Sequence, residues 1–157
     1  MSMELEPLGL HANRWRFLGD SARYVAASRG TDRPLNPAST RRQFRTARAI
    51  LERLNGSHGL TARKGVLLAD DVGLGKTTVA ALVAWVVVGA GGAGRVRILA
   101  PNEVMARRWE EELRIHVPLL NSCATGLEVE GKRIKPHRTS KLHPGSIQVV
   151  KHSYARE

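Results

Sequence analysis

The sequence holds a single cysteine, Cys123. This excludes an internal disulfide framework and fits a reducing, cytoplasmic compartment; the thiol itself reads as a small apolar filler or an incidental surface group. Acidic residues are scarce, 14 Asp and Glu against 25 Lys and Arg, and every aspartate lies at or before Asp71. No later strand can therefore end in an aspartate-containing carboxylate pair. Membrane-length apolar runs are missing too: the ten residues from Val79 to Val88 fall well short of the roughly 20 that a bilayer requires. Met1 to Pro7 is acidic rather than basic and no apolar core follows it, so no secretory leader is expected.

What is present suits a globular protein. The 157 residues, 42% of them hydrophobic, suffice for one modest domain with a real core. A net charge of +11 and an isoelectric point near 11 create a positive field suited to a polyanion, usually nucleic acid. Charge alone leaves a basic, partnerless surface equally open.

The chain is organised around Gly65 to Thr78, an apolar run that stops in a loop punctuated by Gly73 and Gly75 and ends Gly75-Lys76-Thr77. Val66 to Ala69 has the length and composition of a buried strand, and helix-forming residues begin at Lys76, so a strand should hand over to a helix here. A helix start offers unpaired backbone N–H groups and partial positive charge, and glycines let the chain curl around phosphate oxygens. Lys76 would then reach the β- and γ-phosphates of a nucleotide and the Thr77 hydroxyl would ligate magnesium. The alternative is a glycine turn that merely ends a strand.

Around this loop, residues 1–39 form a poorly defined extension. A short helix is expected over Arg14 to Ser28, either covering a face of the domain that follows or standing as an arm, and Pro34 and Pro37 mark a boundary. From Thr40 to Leu54, Phe44, Ala47, Ile50 or Leu51, and Leu54 recur at helical spacing, with Asn55-Gly56 as the stop. Lys76 to Val88 reads as a helix buried on all sides with Trp85 in the core. Arg95 to Ala100 is a second strand, expected to lie parallel to the first after a βαβ crossover. Asn102 can cap a helix from Glu103 to about His116. Met105, Trp109 and Leu113 form its apolar stripe, and Arg107–Glu111, Arg108–Glu112 and Glu110–Arg114 are opposite-charge pairs on its wet face. Pro118 to Gly145 reads as loop. Its basic cluster from Gly131 to Arg138 either follows a phosphate backbone or is a solvated linker; His137 and His143 match no metal-ligand spacing. Ser146 to Val150 is a third strand.

Ala69-Asp70-Asp71-Val72-Gly73-Leu74-Gly75-Lys76-Thr77 carries a family resemblance. The general phosphate-loop rule asks for glycine where Asp70 stands. The segment resembles the first motif of the Swi/Snf-type helicase-like ATPases of helicase superfamily II, related to the DEAD/DEAH enzymes, commonly Ala-Asp-Glu-x-Gly-Leu-Gly-Lys-Thr, with Asp71 in the place of the glutamate. Arg97 to Leu113 is similar to the family's next motif, a strand ending Ala-Pro or Val-Pro before a helix with Trp and Glu-Leu. The resemblance spans about residues 40–155.

It implies an α/β phosphate-loop NTPase fold with a mainly parallel sheet flanked by helices, an incomplete first RecA-like lobe over residues 40–157. ATP and Mg²⁺ would be held by Asp71, Gly73, Leu74, Gly75, Lys76, Thr77 and Thr78, with Thr77 on the metal. Gln43 would take the place of the glutamine that reads the adenine edge, as a side-chain amide can donate and accept together; a solvated glutamine is the alternative. Pro101, Asn102, Lys151 and Ser153 would fall near the nucleic-acid backbone, that of double-stranded DNA first, although for Asn102 an ordinary helix cap fits equally. No Asp-Glu-x-His motif follows the third strand, so the residues that position magnesium and the attacking water for hydrolysis are missing. The reading is an ATP-binding part of a nucleic-acid-dependent translocase or remodeller, not hydrolytic alone, whose partner is the rest of a helicase core in the same or another chain. A stand-alone phosphate-loop nucleotide-binding protein and a basic nucleic-acid-binding module with a vestigial loop remain alternatives. No membrane partner is expected.

Overall fold

The computed structural model describes residues 20–56, 65–69, 73–90, 95–123, 136–137 and 146–151. Among these, four helices and three strands build an α/β structure: α1 (Ser21–Ser28), α2 (Pro37–Asn55), α3 (Lys76–Ala90), β1 (Arg95–Ala100), α4 (Glu103–Cys123), β2 (Pro136–His137) and β3 (Ser146–Lys151). The small sheet has the order β1-β3-β2 and is parallel throughout. Arg95 lies opposite Ser146 and Ala100 opposite Lys151. β3 is central and buried from Ser146 to Val150, as a strand covered on both faces must be.

Local chemistry explains where the helices start and stop. Asn36 Oδ1 accepts from the Ser39 N–H at 3.1 Å, and Pro37, which lacks an N–H, occupies the first turn of α2. Gly56, at φ 69°, closes that helix in the left-handed conformation. Phe44, Ala47 and Leu51 are its buried stripe. α3 is apolar around most of its circumference, burying Val79, Leu82, Trp85, Val86 and Val88, and the Trp85 indole N–H is satisfied by Asn121 Oδ1 of α4 at 2.8 Å. On α4, Asn102 Oδ1 accepts from the Met105 N–H at 2.9 Å, and Leu113, Val117 and Leu120 face the core. Met105 and Trp109 are half-buried against that core.

Several expectations need correction. Val66 to Ala69 is not a buried strand: among the described residues it lies outside the sheet, with Leu67 90% exposed and only Leu68 packed on the core. The expected βαβ crossover from that segment to β1 is therefore not formed. The parallel neighbour of β1 is β3, with α4 between them in the sequence. Helix α4 does not end near His116 but runs through Pro118 to Cys123. An internal proline removes one helical hydrogen bond and crowds the preceding turn; burial of Val117, Leu119, Leu120 and Cys123 offsets that cost. Arg107 pairs with Glu103, at 3.3 Å, one turn earlier than expected. The expected helix over Arg14 to Ser28 is described only as α1, which puts Tyr24 and Val25 into the buried interior and thus covers the domain. The basic cluster Gly131–Arg138 is described only at Pro136–His137; His143 lies outside the described residues.

Candidate functional site

The turn before α3 is built from two glycines in a conformation that side chains resist. Gly73 has φ 85° and Gly75 φ 79°, the left-handed region in which a Cβ costs roughly 1–2 kcal/mol. The first helical bond here runs from the Val79 N–H to the Gly75 carbonyl, at 3.1 Å. The N–H groups of Lys76, Thr77 and Thr78 thus precede the helical ladder, as the opening donors of a helix do, and coincide with the positive end of its dipole. A Cβ built on Gly73 meets nothing within 4 Å. Lys76, Thr77 and Thr78 are half-buried.

The inner side of the loop is closed by α2. The Arg42 guanidinium donates to the Leu74 carbonyl, and Gln43 Nε2 lies 3.5 Å from the same oxygen. A Cβ on Gly75 would fall 2.1 Å from that nitrogen. Gln43 is itself buried. The glutamine singled out for adenine is thus brought against the loop it was expected to serve, with its amide directed at Leu74. Arg42, which the sequence reading missed, shares that anchor; its proximity to Gln43 on α2 was the only available signal.

A second set of contacts reaches the first turn of α3 from the opposite helix. His116, 4% exposed on α4, has Nε2 at 3.4 Å from Thr78 Oγ1 and at 3.4 Å from Glu112 Oε2, while Nδ1 is hydrogen-bonded to the Tyr24 hydroxyl. Burial holds the imidazole below its usual range, against the opposing effect of the Glu112 carboxylate, so the ring is neutral at pH 7. Burial likewise pushes the Tyr24 hydroxyl upward, aided by Cys123 and Glu112. Glu112 also meets Arg33, 3.7 Å away. In the sequence, His116 appeared only as a helix end; its place three residues after Leu113 on the buried stripe was the overlooked sign.

The remaining candidates are more scattered. Pro101 and Asn102 are exposed at the end of β1, and the Asn102 side chain is engaged as the cap of α4. Lys151 is half-buried at the end of β3, level with Ala100 in the strand register, so Pro101 and Lys151 lie at the same end of the sheet. Asp71 and Ser153 lie outside the described residues. No helix among the described residues is long and apolar enough to cross a membrane.

No family model, no curated protein and no solved structure matches the chain.

Proposed function

We propose that this chain binds a nucleoside triphosphate, ATP, with Mg²⁺ at the loop before α3, as the nucleotide-binding part of a superfamily II helicase-like, nucleic-acid-dependent ATPase. The observation that carries this reading is the pair of left-handed glycines, Gly73 and Gly75, set directly before a helix opened by Lys76, Thr77 and Thr78. The residues fit the group. A Cβ on Gly73 would meet nothing within 4 Å, the opening N–H groups suit phosphate oxygens, Lys76 supplies a cation for the β- and γ-phosphates and Thr77 a hydroxyl for the metal. Asp71 would complete the set. An incomplete RecA-like lobe, as the motifs suggest, would also account for the segment from Val66 to Ala69, which lies outside the sheet. Its apolar Val66 and Leu67 are exposed, as is Leu99 on the outer strand β1, which suits a segment whose strand neighbours are supplied by the rest of a helicase core.

The net charge of +11 supports nucleic acid, double-stranded DNA first, as the partner, with Pro101, Asn102, Lys151 and Ser153 as candidate contacts to its backbone. Every aspartate in this sequence lies at or before Asp71, so the chain holds the phosphates without the later carboxylate pair that orients water in this class of enzyme. The test is ATP binding by the wild-type chain and Lys76→Ala, with Mg²⁺ present. The change is expected to weaken binding by tenfold or more, on the order of 1.4 kcal/mol, with no steady-state turnover in either protein. Equal binding by the two proteins would remove the phosphate cradle and leave a basic nucleic-acid-binding module.

A further inference from the structure

The contacts of His116 join α1, α3 and α4 at one buried ring, and they fix the direction of its hydrogen bonds. A tyrosine hydroxyl has one proton to give, and a neutral imidazole has one donor and one acceptor nitrogen. Nε2 faces two oxygens, Glu112 Oε2 and Thr78 Oγ1, each at 3.4 Å. The carboxylate can only accept, so Nε2 carries the proton. Nδ1 is then the acceptor, and the Tyr24 hydroxyl donates to it. The assignment leaves every buried polar atom of the ring with a partner of the right sense. Thr78 Oγ1 in turn becomes an acceptor toward His116, which leaves its own proton free to point elsewhere.

Thr78 stands in the first turn of α3, two residues after Lys76, where its backbone N–H is one of the opening donors of the helix. We propose that His116 is a positioning residue of the nucleotide site: Tyr24 sets its tautomer, and its Nε2–H turns the Thr78 hydroxyl so that this hydroxyl donates to a phosphate oxygen of bound ATP. The inference rests on the nucleotide reading above and adds to it a regulatory input, because Tyr24 belongs to α1 and not to the phosphate loop. Whatever lifts α1 away from α4 removes the acceptor–donor order of the ring and loosens phosphate binding. Arg33 takes part from the connection between α1 and α2. It lies 3.7 Å from Glu112 Oε1, on the carboxylate whose other oxygen faces Nε2.

The tautomer is tested first, on the ligand-free wild-type chain, by nitrogen NMR of the imidazoles. A pyrrole-type Nε2 and a pyridine-type Nδ1 are expected for His116; the reverse assignment overturns the proposal without any variant being made. The second arm measures ATP·Mg²⁺ affinity for wild type, Tyr24→Phe, Thr78→Val and the double variant, each checked by thermal melting to be folded at the temperature used. Each single change removes one link of the chain and is expected to weaken binding by roughly two- to tenfold. The double variant should be no weaker than the weaker single one, since both break the same path. Multiplying losses, or an unchanged affinity in Tyr24→Phe, would overturn the positioning role while leaving the Lys76-dependent site intact. A wild-type chain that binds no ATP, or binds it independently of Lys76, overturns the nucleotide reading and this inference together.

Discussion

The side-chain amide of Gln43 occupies the space that a Cβ on Gly75 would need: the two positions are 2.1 Å apart. Gly73, with nearly the same backbone geometry, has open space on that side. The two glycines of the loop are thus required for the same backbone reason, and only one of them for a packing reason as well.

Alanine at either position should cost about 1–2 kcal/mol from the left-handed φ, measured by urea unfolding of the full chain. Gly75→Ala adds a second effect, since the Gln43 amide must swing away from Leu74. Gln43→Ala should therefore cost less in the Gly75→Ala background than in wild type, whereas it should cost the same with and without Gly73→Ala. A double-mutant cycle reads this difference directly. Full additivity in the Gly75 cycle would show that Gln43 does not brace the loop.

The neutral buried ring of His116 gives stability a pH dependence with a defined sign. Its folded pKa lies below the ordinary 6.5, through burial that outweighs the neighbouring Glu112. Between those two values the unfolded chain binds more protons than the folded one, so the contribution is complete above 6.5 and is lost as pH falls through the folded pKa. The urea midpoint is expected to drop as pH falls just below 6.5, and His116→Gln should flatten that part of the profile. Tyr24 acts at the other extreme. Its hydroxyl is raised above 10.0, by burial first, so stability is complete below 10 and declines as the unfolded tyrosine ionises above it. Tyr24→Phe should remove that decline.

Much of the helical frame was legible because helices declare themselves locally. Asn55-Gly56 marks the end of α2, Phe44, Ala47 and Leu51 supply its period, and an apolar run of the right length is α3 wherever it is packed; the start of α2 was placed at Thr40, three residues late, because Pro37 reads as a boundary although it opens the helix behind the Asn36 cap. β1 and β3 were likewise readable as short apolar segments. What failed depended on distant partners. Val66 to Ala69 has strand composition, but strand pairing is made by neighbours, and the described neighbours of β1 leave this segment outside the sheet. Pro118 looked like a stop because its local effect is unfavourable; the four buried side chains that carry α4 onward to Cys123 express their value only in the folded core. The glycine turn before α3 was visible from Gly73, Gly75 and Lys76, whereas Arg42 reaches Leu74 across 32 residues, His116 reaches Thr78 across 38, and Tyr24 meets His116 across 92.

The Trp85–Asn121 bond fastens α3 to α4 behind the site. Trp85 is 1% exposed and its Nε1–H donates to Asn121 Oδ1 at 2.8 Å. Asn121→Ala leaves that buried donor without its acceptor and is expected to cost about 1–3 kcal/mol, seen as a lower urea midpoint. Trp85→Phe in the Asn121→Ala background should lose less than Trp85→Phe alone, as the stranded N–H is then absent. An Asn121→Ala protein as stable as wild type would show that the indole finds another partner.

Leu67 and Leu82 test where the core ends. Leu82 is 1% exposed on α3, and Leu67 is 90% exposed ahead of the glycine turn that precedes α3. If the segment from Val66 to Ala69 were a core strand, truncating Leu67 would cost as much as truncating a core leucine, roughly 2–5 kcal/mol. The geometry instead predicts that Leu82→Ala loses stability in that range, while Leu67→Lys stays within about 0.5 kcal/mol of wild type. The lysine should also lower any self-association through this segment, since it places a charge among its exposed apolar side chains, Val66 and Leu67. Equilibrium unfolding together with sedimentation of both variants decides the matter. A large loss in Leu67→Lys would mean that this leucine is buried in the working protein, either against the chain's own sheet or between copies, and the concentration dependence of the loss separates those two.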